Sequence, residues 1–94
     1  MGKPRPGVII QADIVPTPGD ILLCPLTSTL VDGPIYRLDV QPDAENGLAT
    51  ASQVMVDKIG PVRRDRIDRV IGRLGRFDLL RLEVAFGTLL GLTN

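Results

Sequence analysis

The 94-residue sequence contains no histidine and a single cysteine, Cys24. Without histidine, a Ser-His-Asp triad, a paired-histidine ribonuclease and a histidine metal site are all excluded. With one cysteine, a thiolate zinc site is excluded too, and Cys24, which lies in an apolar stretch, is expected to be a buried structural thiol. Metal-independent chemistry must therefore be carried by Arg, Lys, Asp, Glu, Ser, Thr or Tyr. We expect no metal and no cofactor.

Long apolar runs and phosphate-binding loops are also missing. No apolar run approaches the ~18 residues that span a bilayer, and charges and prolines occupy the N-terminus where a signal peptide would be apolar. No glycine-rich loop of the Walker type occurs. At this length we expect residues 1–94 to form one domain, cytoplasmic and without a membrane contact.

The formal net charge is zero, but its distribution is uneven. Residues 57–81 carry eight basic and four acidic side chains, a net +4, so the rest of the chain carries −4. An arginine-rich segment of this kind can hold a phosphate backbone, because arginine pairs bidentately with phosphate oxygens. It can equally be a solvated surface, and the charge pattern alone leaves both interpretations open.

Prolines and glycines divide the first sixty residues into short apolar segments, a pattern that indicates β-strands. Residues 35–40 alternate between apolar and polar, so one face of that strand is expected to be wet. The predicted strands cover residues 8–10, 20–26, 35–40 and 53–56, with a fifth at 70–71.

The C-terminal stretch predicts a helix. Asp78 is the expected N-cap, residues 79–90 lack proline and include many strong helix formers, and Gly91 is the expected stop. A narrow polar stripe contains Asp78, Arg81, Ala85 and Thr88, while apolar residues cover most of the remaining surface. Since a small sheet cannot cover so much apolar surface, a second subunit is the expected contact.

Among the reactions open to this side-chain set is RNA cleavage by the 2′-hydroxyl of the RNA itself. The nucleophile is then already part of the substrate, and the protein has to align it and stabilise charge. An arginine can neutralise the charge that develops on the phosphate, and a threonine hydroxyl can hold a phosphate oxygen. The composition permits this reaction.

The order of segments resembles the MazF/PemK (Kid) family of toxins. The resemblance starts with an arginine-proline pair leading into a β-branched strand and a Gln-x-Asp ending, in residues 3–13, KPRPGVIIQAD. The other similar segments are LCPLTS at 23–28, ENGL at 45–48, SQVMVDK at 52–58, VIGRL at 70–74 and LLGL at 89–92. The similarity covers nearly the whole chain in the family's order.

The resemblance implies a mainly β fold with a C-terminal helix (α+β), built as a small SH3-like barrel of the CcdB/Kid type. It also implies a homodimer that cleaves single-stranded RNA without metal, and a cognate antitoxin peptide that occupies the same groove. By position, the family's catalytic arginine falls on Arg5 and its catalytic threonine or serine on Thr27. Lys3, Ser28 and Gln53 are the expected RNA contacts.

Two departures from the family pattern are visible. The family begins with a strand close to Arg-Gly-Asp-Ile-Val, and we expect this chain to lack it, since Met1 directly precedes the arginine-proline segment. A Kid-like variant uses an Arg-x-Asp pair, and here Met55 takes the arginine's place before Asp57. We therefore assign that strand no catalytic role and expect Asp57 to pair with Lys58 or a nearby arginine.

Three alternatives stay open. A non-catalytic relative could retain the fold and bind RNA or an antitoxin without cleavage. A gyrase poison of the CcdB type would share the fold, but that group ends in Trp-Gly-Ile, whereas this chain has no tryptophan. An unrelated small β-barrel of structural role would make the ordered motifs a coincidence. Neither the RNA sequence that is cut nor the antitoxin can be deduced from these residues.

Overall fold

The computed structural model describes residues 5–10, 18–33 and 35–92, which form an antiparallel sheet and one α-helix. The strands are β1 (Gly7–Ile9), β2 (Asp20–Thr27), β3 (Arg37–Val40), β4 (Ser52–Met55) and β5 (Gly60–Arg63), and the helix is α1 (Arg76–Leu89). Two short 3₁₀ helices, Val56–Lys58 and Arg64–Arg66, follow β4 and β5. Within the described ranges no helix is long and apolar enough to cross a membrane.

The long strand β2 organises the sheet, because three other strands pair with it. β1 pairs with its middle, where Val8 lies opposite Cys24, and β5 pairs with its first half. β4 pairs with the end of β2, where Gln53 lies opposite Thr27, and β3 pairs with β4. The pairing register along β2 shifts at the 3₁₀ helix Val56–Lys58 that joins β4 to β5. Residues near Thr27 are therefore held from two sides.

The predicted class, a mainly β fold with a C-terminal helix, is confirmed, but the sheet is not closed into a barrel. Among the described residues β1, β3 and β5 each pair with one neighbour and have a free edge. A barrel would require those edges to meet. The sheet is thus an open one, and the helix covers part of its face.

The fifth strand is not where the sequence predicts it. Val70 and Ile71 lie outside any strand and are exposed, and the fifth strand is Gly60–Arg63. β5 begins with Gly60 and Pro61, two residues that are unusual in strands, so the sequence pattern does not predict it. Proline is nevertheless tolerated on a strand that pairs along only one edge. Pro61 lies opposite Leu22 in this pairing.

The core is a small aliphatic cluster between β2, β3, β4 and α1. Its buried members are Cys24, Leu26, Val40, Val54, Val56 and Leu82. Cys24 is fully buried, as expected of a structural thiol, and burial raises the pKa of its thiol to about 11, with the Asp57 carboxylate adding to the increase. The thiol is therefore neutral near pH 7.

The helix begins earlier than predicted and is capped differently. Its N-cap is Gly75, without a side-chain cap, while Asp78 lies in the first turn and accepts a hydrogen bond of 2.7 Å from Arg81. The predicted stop is confirmed: Gly91 has φ +71°, and the amides of Gly91 and Leu92 donate to the carbonyls of Thr88 and Gly87. This is the hydrogen-bond pattern of a Schellman cap.

The orientation of the helix corrects the expected burial. Within this chain Leu82 is the one fully buried helix residue. In the predicted polar stripe Asp78, Arg81 and Ala85 are half-buried, and Arg81 donates to the carbonyl of Asp39 at 2.9 Å, while Thr88 is exposed. The large apolar residues Phe77, Leu80 and Val84 face outward and are half or more exposed. The rest of the described chain leaves this face of the helix exposed.

Candidate functional site

The site is a shallow pocket where β1 and β2 meet the loop before β4. Its volume is about 270 Å³, and it is lined by residues 5–6, 26–29, 48–50 and 52. Three of these four segments are polar or end in hydroxyl-bearing side chains. Among the described residues that line it, Arg5 is the only charged one, so the pocket carries a single positive charge.

Arg5 and Thr27, the two predicted catalytic residues, line this pocket together. The backbone explains why: the amide of Leu26 donates to the carbonyl of Pro6 at 3.0 Å, which extends the β1–β2 pairing to the residue next to Arg5. The guanidinium-bearing residue is thus held beside the end of β2, while its side chain stays exposed. Their roles remain predictions.

Thr27 is the last residue of β2, and its hydroxyl is partly engaged. The Thr27 Oγ1 accepts a hydrogen bond of 3.1 Å from the amide of Thr29, a local turn of the kind that threonine commonly makes. Accepting this bond leaves the hydroxyl proton free to be donated. Ser28, a predicted RNA contact, is exposed and lines the same pocket.

Gln53 lies opposite Thr27 but is buried, with 4% of its surface exposed. Its Oε1 accepts from the amide of Val31 at 3.1 Å, and its Nε2 donates to the carbonyl of Val31 at 2.9 Å and to Asp39 at 2.8 Å. A side chain bound in this way holds the loop after Ser28 rather than pointing into the pocket. The predicted RNA contact of Gln53 stays untested, and the structure gives it a positioning role.

The third predicted RNA contact, Lys3, lies outside the described residues, as do residues 11–13 at the end of the first family motif. Asp57 lies within the described residues and has two cationic neighbours. Asp57 Oδ1 lies 2.9 Å from Arg37 Nη1, and its other oxygen lies 3.9 Å from Lys58 Nζ. The prediction that Asp57 pairs with Lys58 or a nearby arginine is therefore confirmed.

The turn at residues 43–47 sets the far wall of the pocket, and its importance is not evident from the predicted strands. Asn46 is buried; its Oδ1 accepts from the amides of Asp43 at 3.1 Å and Leu48 at 3.0 Å, and its Nδ2 donates to the carbonyl of Gln41 at 2.8 Å. Since Leu48 begins the wall, Asn46 fixes where the wall starts. The Asn-Gly pair is the sequence signal for such a turn.

Close packing leaves this turn no alternative position. Gly47 has φ +71°, and a Cβ there would lie 2.1 Å from the carbonyl oxygen of Ile71. A Cβ on Gly72 would in turn lie 2.5 Å from backbone atoms of Asn46. Glycine is therefore required on both sides of the contact, and the segment after β5 is packed directly against the turn.

The pocket combines one guanidinium, several hydroxyls and a wall made of backbone. Arginine can bind a phosphate bidentately and neutralise charge that develops on it, and hydroxyls can donate to the remaining phosphate oxygens. No described group of His, Cys, Asp or Glu is arranged to hold a metal ion. The arrangement suits an anionic substrate.

The sequence matches a family model described as "PemK-like, MazF-like toxin of type II toxin-antitoxin system" over residues 1–90. The chain belongs to the PemK/MazF toxin family. The open alternative of an unrelated small β-barrel is therefore wrong, and the family predicted from the ordered motifs is confirmed.

Individual relatives agree with the family. A protein of Mycolicibacterium smegmatis named "Probable endoribonuclease MazF" is 35% identical over 93 residues, 99% of this chain and 85% of that protein. The solved structure of Mycobacterium tuberculosis toxin MazF-mt6 is similar with a TM-score of 0.81 and 27% identity, over 96% of this chain and 89% of the other.

A more distant structure shows the fold alone. It is the MazE–MazF structure from Deinococcus radiodurans, with a TM-score of 0.72 and 21% identity, over 95% of this chain and 87% of that one. The fold of this chain is thus similar to that of MazF toxins.

Proposed function

We propose that this chain is the toxin of a type II toxin–antitoxin system and an endoribonuclease that cleaves single-stranded RNA, including mRNA, in the cytoplasm without a metal ion. The observation that carries the proposal is the convergence of Arg5 and Thr27, distant in sequence, on one pocket whose described lining holds no other charge. Family membership and the named endoribonuclease relative support the reaction class.

In the proposed mechanism the 2′-hydroxyl attacks the adjacent phosphorus, and the bond from phosphorus to the 5′-oxygen breaks. The 2′-hydroxyl loses its proton to solvent and the leaving 5′-oxygen gains one, which gives a 2′,3′-cyclic phosphate and a 5′-hydroxyl end. Arg5 neutralises the additional negative charge on the phosphorane, where electrostatic stabilisation acts most strongly. The Thr27 hydroxyl donates a hydrogen bond to a non-bridging phosphate oxygen and holds the phosphate in line for attack by the 2′-hydroxyl.

Positioning of the pocket belongs to the same proposal. Gln53 holds the loop after Ser28, and Asn46 holds the wall that starts at Leu48, so both rims are fixed before RNA binds. Because the rims are fixed in advance, less free energy is lost in aligning the hydrogen-bond donors of the pocket during the reaction. Ser28 lies on the rim as a contact for the RNA, and Lys3 precedes Arg5 as a second one.

The working unit that we propose is a homodimer formed through the outer face of α1. Phe77, Leu80 and Val84 recur at helical spacing and are 74%, 50% and 65% exposed. A contiguous apolar face on a small protein marks an interaction surface. The second proposed partner is an antitoxin peptide that occupies the pocket groove and keeps RNA out. The Deinococcus structure, whose name pairs MazE with MazF, supports a protein partner.

An RNA cleavage assay in EDTA tests this proposal. We expect the unaltered protein to cut members of a broad single-stranded RNA pool, Arg5→Ala to slow cutting by about 10² to 10³-fold and Thr27→Ala to slow it less. Lys58→Ala is the matched control, because Lys58 is an exposed cation outside the pocket. Cleavage that is lost in EDTA, or that proceeds in Arg5→Ala within a few-fold of the original rate, contradicts the mechanism.

A second function, binding without cleavage, is favoured by one observation. The described pocket lining contains no residue that titrates near pH 7, so proton transfer relies on solvent. A non-catalytic relative would bind single-stranded RNA or antitoxin through Arg5 and the hydroxyls and leave the RNA intact. RNA that is bound by the folded protein but stays full-length throughout the pool would establish this alternative.

A further inference from the structure

The segment after β5 runs from the start of β2 to the turn that carries the pocket wall, and it is hydrogen-bonded at both places. The amide of Arg64 donates to the carbonyl of Gly19 at 3.0 Å, and the amide of Arg73 donates to the carbonyl of Glu45 at 2.8 Å. Between these points Gly72 packs against the backbone of Asn46 too closely to admit a Cβ. The segment is therefore attached to the same turn that carries the wall residue Leu48.

Four arginines project from this segment and from the start of the helix. They are Arg66, Arg69, Arg73 and Arg76. All four are exposed, and none forms an ion pair with a carboxylate of residues 5–10, 18–33 or 35–92. Arg63 differs, because it pairs with Asp65. The four cations are thus available to a ligand, in a chain whose net charge is zero.

We propose that these four arginines form a phosphate track that binds the RNA strand where it continues beyond the pocket. The inference rests on the proposed function and extends it, since the track would hold nucleotides that are not cut. One continuous single strand accounts for both features: its scissile phosphate lies at Arg5, and its flanking phosphates lie along the segment attached to the wall. We define the track by Arg66, Arg69, Arg73 and Arg76.

The chemistry of the track fits a flexible polyanion. Guanidinium groups bind phosphate oxygens bidentately without reading the base, so the track adds affinity and leaves sequence choice to the pocket. Each phosphate neutralised by arginine releases a counterion, so that binding weakens as salt rises, by a slope of about 0.7 per contact for single strands. Val70, which is 76% exposed within the segment, offers an apolar surface to an unstacked base.

The test compares binding of long and short 2′-fluoro RNA of mixed sequence, which lacks the attacking hydroxyl. Strands of about 20 and about 6 nucleotides are suitable, since single-strand sites on one small domain cover about 4 to 16 nucleotides. We expect the long strand to bind about 10-fold more tightly or better, and Arg69→Gln/Arg73→Gln to lose most of that advantage. The salt slope for the long strand should fall by about 1.4 in the double variant.

The matched control is Arg63→Gln/Lys58→Gln, which removes the same two charges from residues that already have carboxylate partners. An equal loss in this control shows that net charge, not the track, sets affinity, and overturns the proposal. So does a long strand that binds no better than a short one. If the track variant keeps its RNA affinity but loses binding to a glutamate-rich peptide, the surface serves a polypeptide, and the proposal is again overturned.

The outcome is independent of cleavage. A protein that cuts unmodified RNA but shows no length advantage retains the proposed function and loses the track. A protein that cuts nothing, yet binds 2′-fluoro RNA with a length advantage that depends on Arg69 and Arg73, retains the track and loses the proposed catalysis.

Discussion

The pocket rim and the outer face of α1 differ in how far contacts within a single chain satisfy their polar groups and cover their apolar surface. At the rim, Gln53 and Asn46 use their amide groups on backbone partners, and both are buried. On the outer helix face, Phe77, Leu80 and Val84 contribute large apolar surface to solvent. The polar groups of the first region are satisfied within the chain, whereas the second leaves apolar surface exposed to solvent.

This difference separates two kinds of constraint. Buried amides with every group bound fix a backbone, because leaving one unsatisfied costs about 1 to 3 kcal/mol. An exposed apolar face does not constrain the backbone of the single chain. Covering it stabilises an assembly by about 25 cal/mol per Å² of apolar surface removed from water. Changes at the rim should therefore affect catalysis and folding within the chain, and changes on the helix face should affect assembly.

The largest expected effect is at Arg5. Arg5→Ala removes the described pocket's one charge, and we expect cleavage to slow by about 10² to 10³-fold, the usual cost of removing an electrostatic donor to a transition state. Arg5→Lys should recover part of the rate, since it keeps the charge but not the bidentate geometry. Single-turnover rates on one identified RNA substrate measure both. A rate for Arg5→Ala within a few-fold of the original would remove Arg5 from the mechanism.

The helix face should respond next, through assembly. Leu80→Glu places a charge on the apolar face, and we expect a dimer of twice the 10.2 kDa chain mass to become a monomer. Glu83→Gln, on an exposed position of the same helix, is the matched control. Sedimentation velocity over a range of concentrations distinguishes the species. An original protein that is monomeric at all concentrations, or a Leu80→Glu variant that stays dimeric, contradicts assembly through this face.

A smaller effect is expected at the turn that carries the pocket wall. Asn46→Ala removes three hydrogen bonds, and we expect the free energy of unfolding to fall by about 2 to 3 kcal/mol. Glu45→Ala, on the same turn, uses only its backbone in the contact with Arg73 and should change stability by less than about 0.5 kcal/mol. Urea unfolding followed by circular dichroism measures both. Equal changes in the two variants would show that Asn46 does not fix the turn.

The smallest effect concerns Cys24 and pH. Burial raises the pKa of this thiol from 9.0 to about 11, so the folded protein holds the proton more tightly than the unfolded chain. This contribution to stability is complete below about pH 9 and is lost as pH rises toward 11. We expect a thiol reagent at pH 8 to react with Cys24 only after unfolding in urea, and fast reaction in the native protein would contradict the packing.

The sequence patterns predict the central parts of this molecule and fail at its edges. The apolar run predicts β2 well because its alternate residues Cys24 and Leu26 are buried in the core. Gly91 predicts the helix end because glycine adopts its φ without strain. β5 goes unpredicted because its pairing along a single edge of β2 tolerates Gly60 and Pro61. Val70 is β-branched but exposed, and propensity alone does not pair a strand.

The candidate site shows the same division. Arg5 and Thr27 are predicted through the family motif, and the structure brings them to one pocket. The positioning role of Gln53 depends on a partner 22 residues away, Val31, and a contact of that range leaves no local pattern. The sequence does not predict the helix orientation for a related reason. Arg81 belongs to the polar stripe in the sequence pattern, but in the structure its guanidinium donates to the distant carbonyl of Asp39.

We propose that the pocket of Arg5 and Thr27 cleaves RNA through the substrate's own 2′-hydroxyl. The most direct measurement is end analysis of the products of one identified RNA, cut in EDTA, beside the same RNA with a single 2′-deoxy sugar at the cut position. We expect a 2′,3′-cyclic phosphate and a 5′-hydroxyl from the first and no cut at that position in the second. Cleavage at the deoxy position, or a 5′-phosphate on the product, would contradict the account.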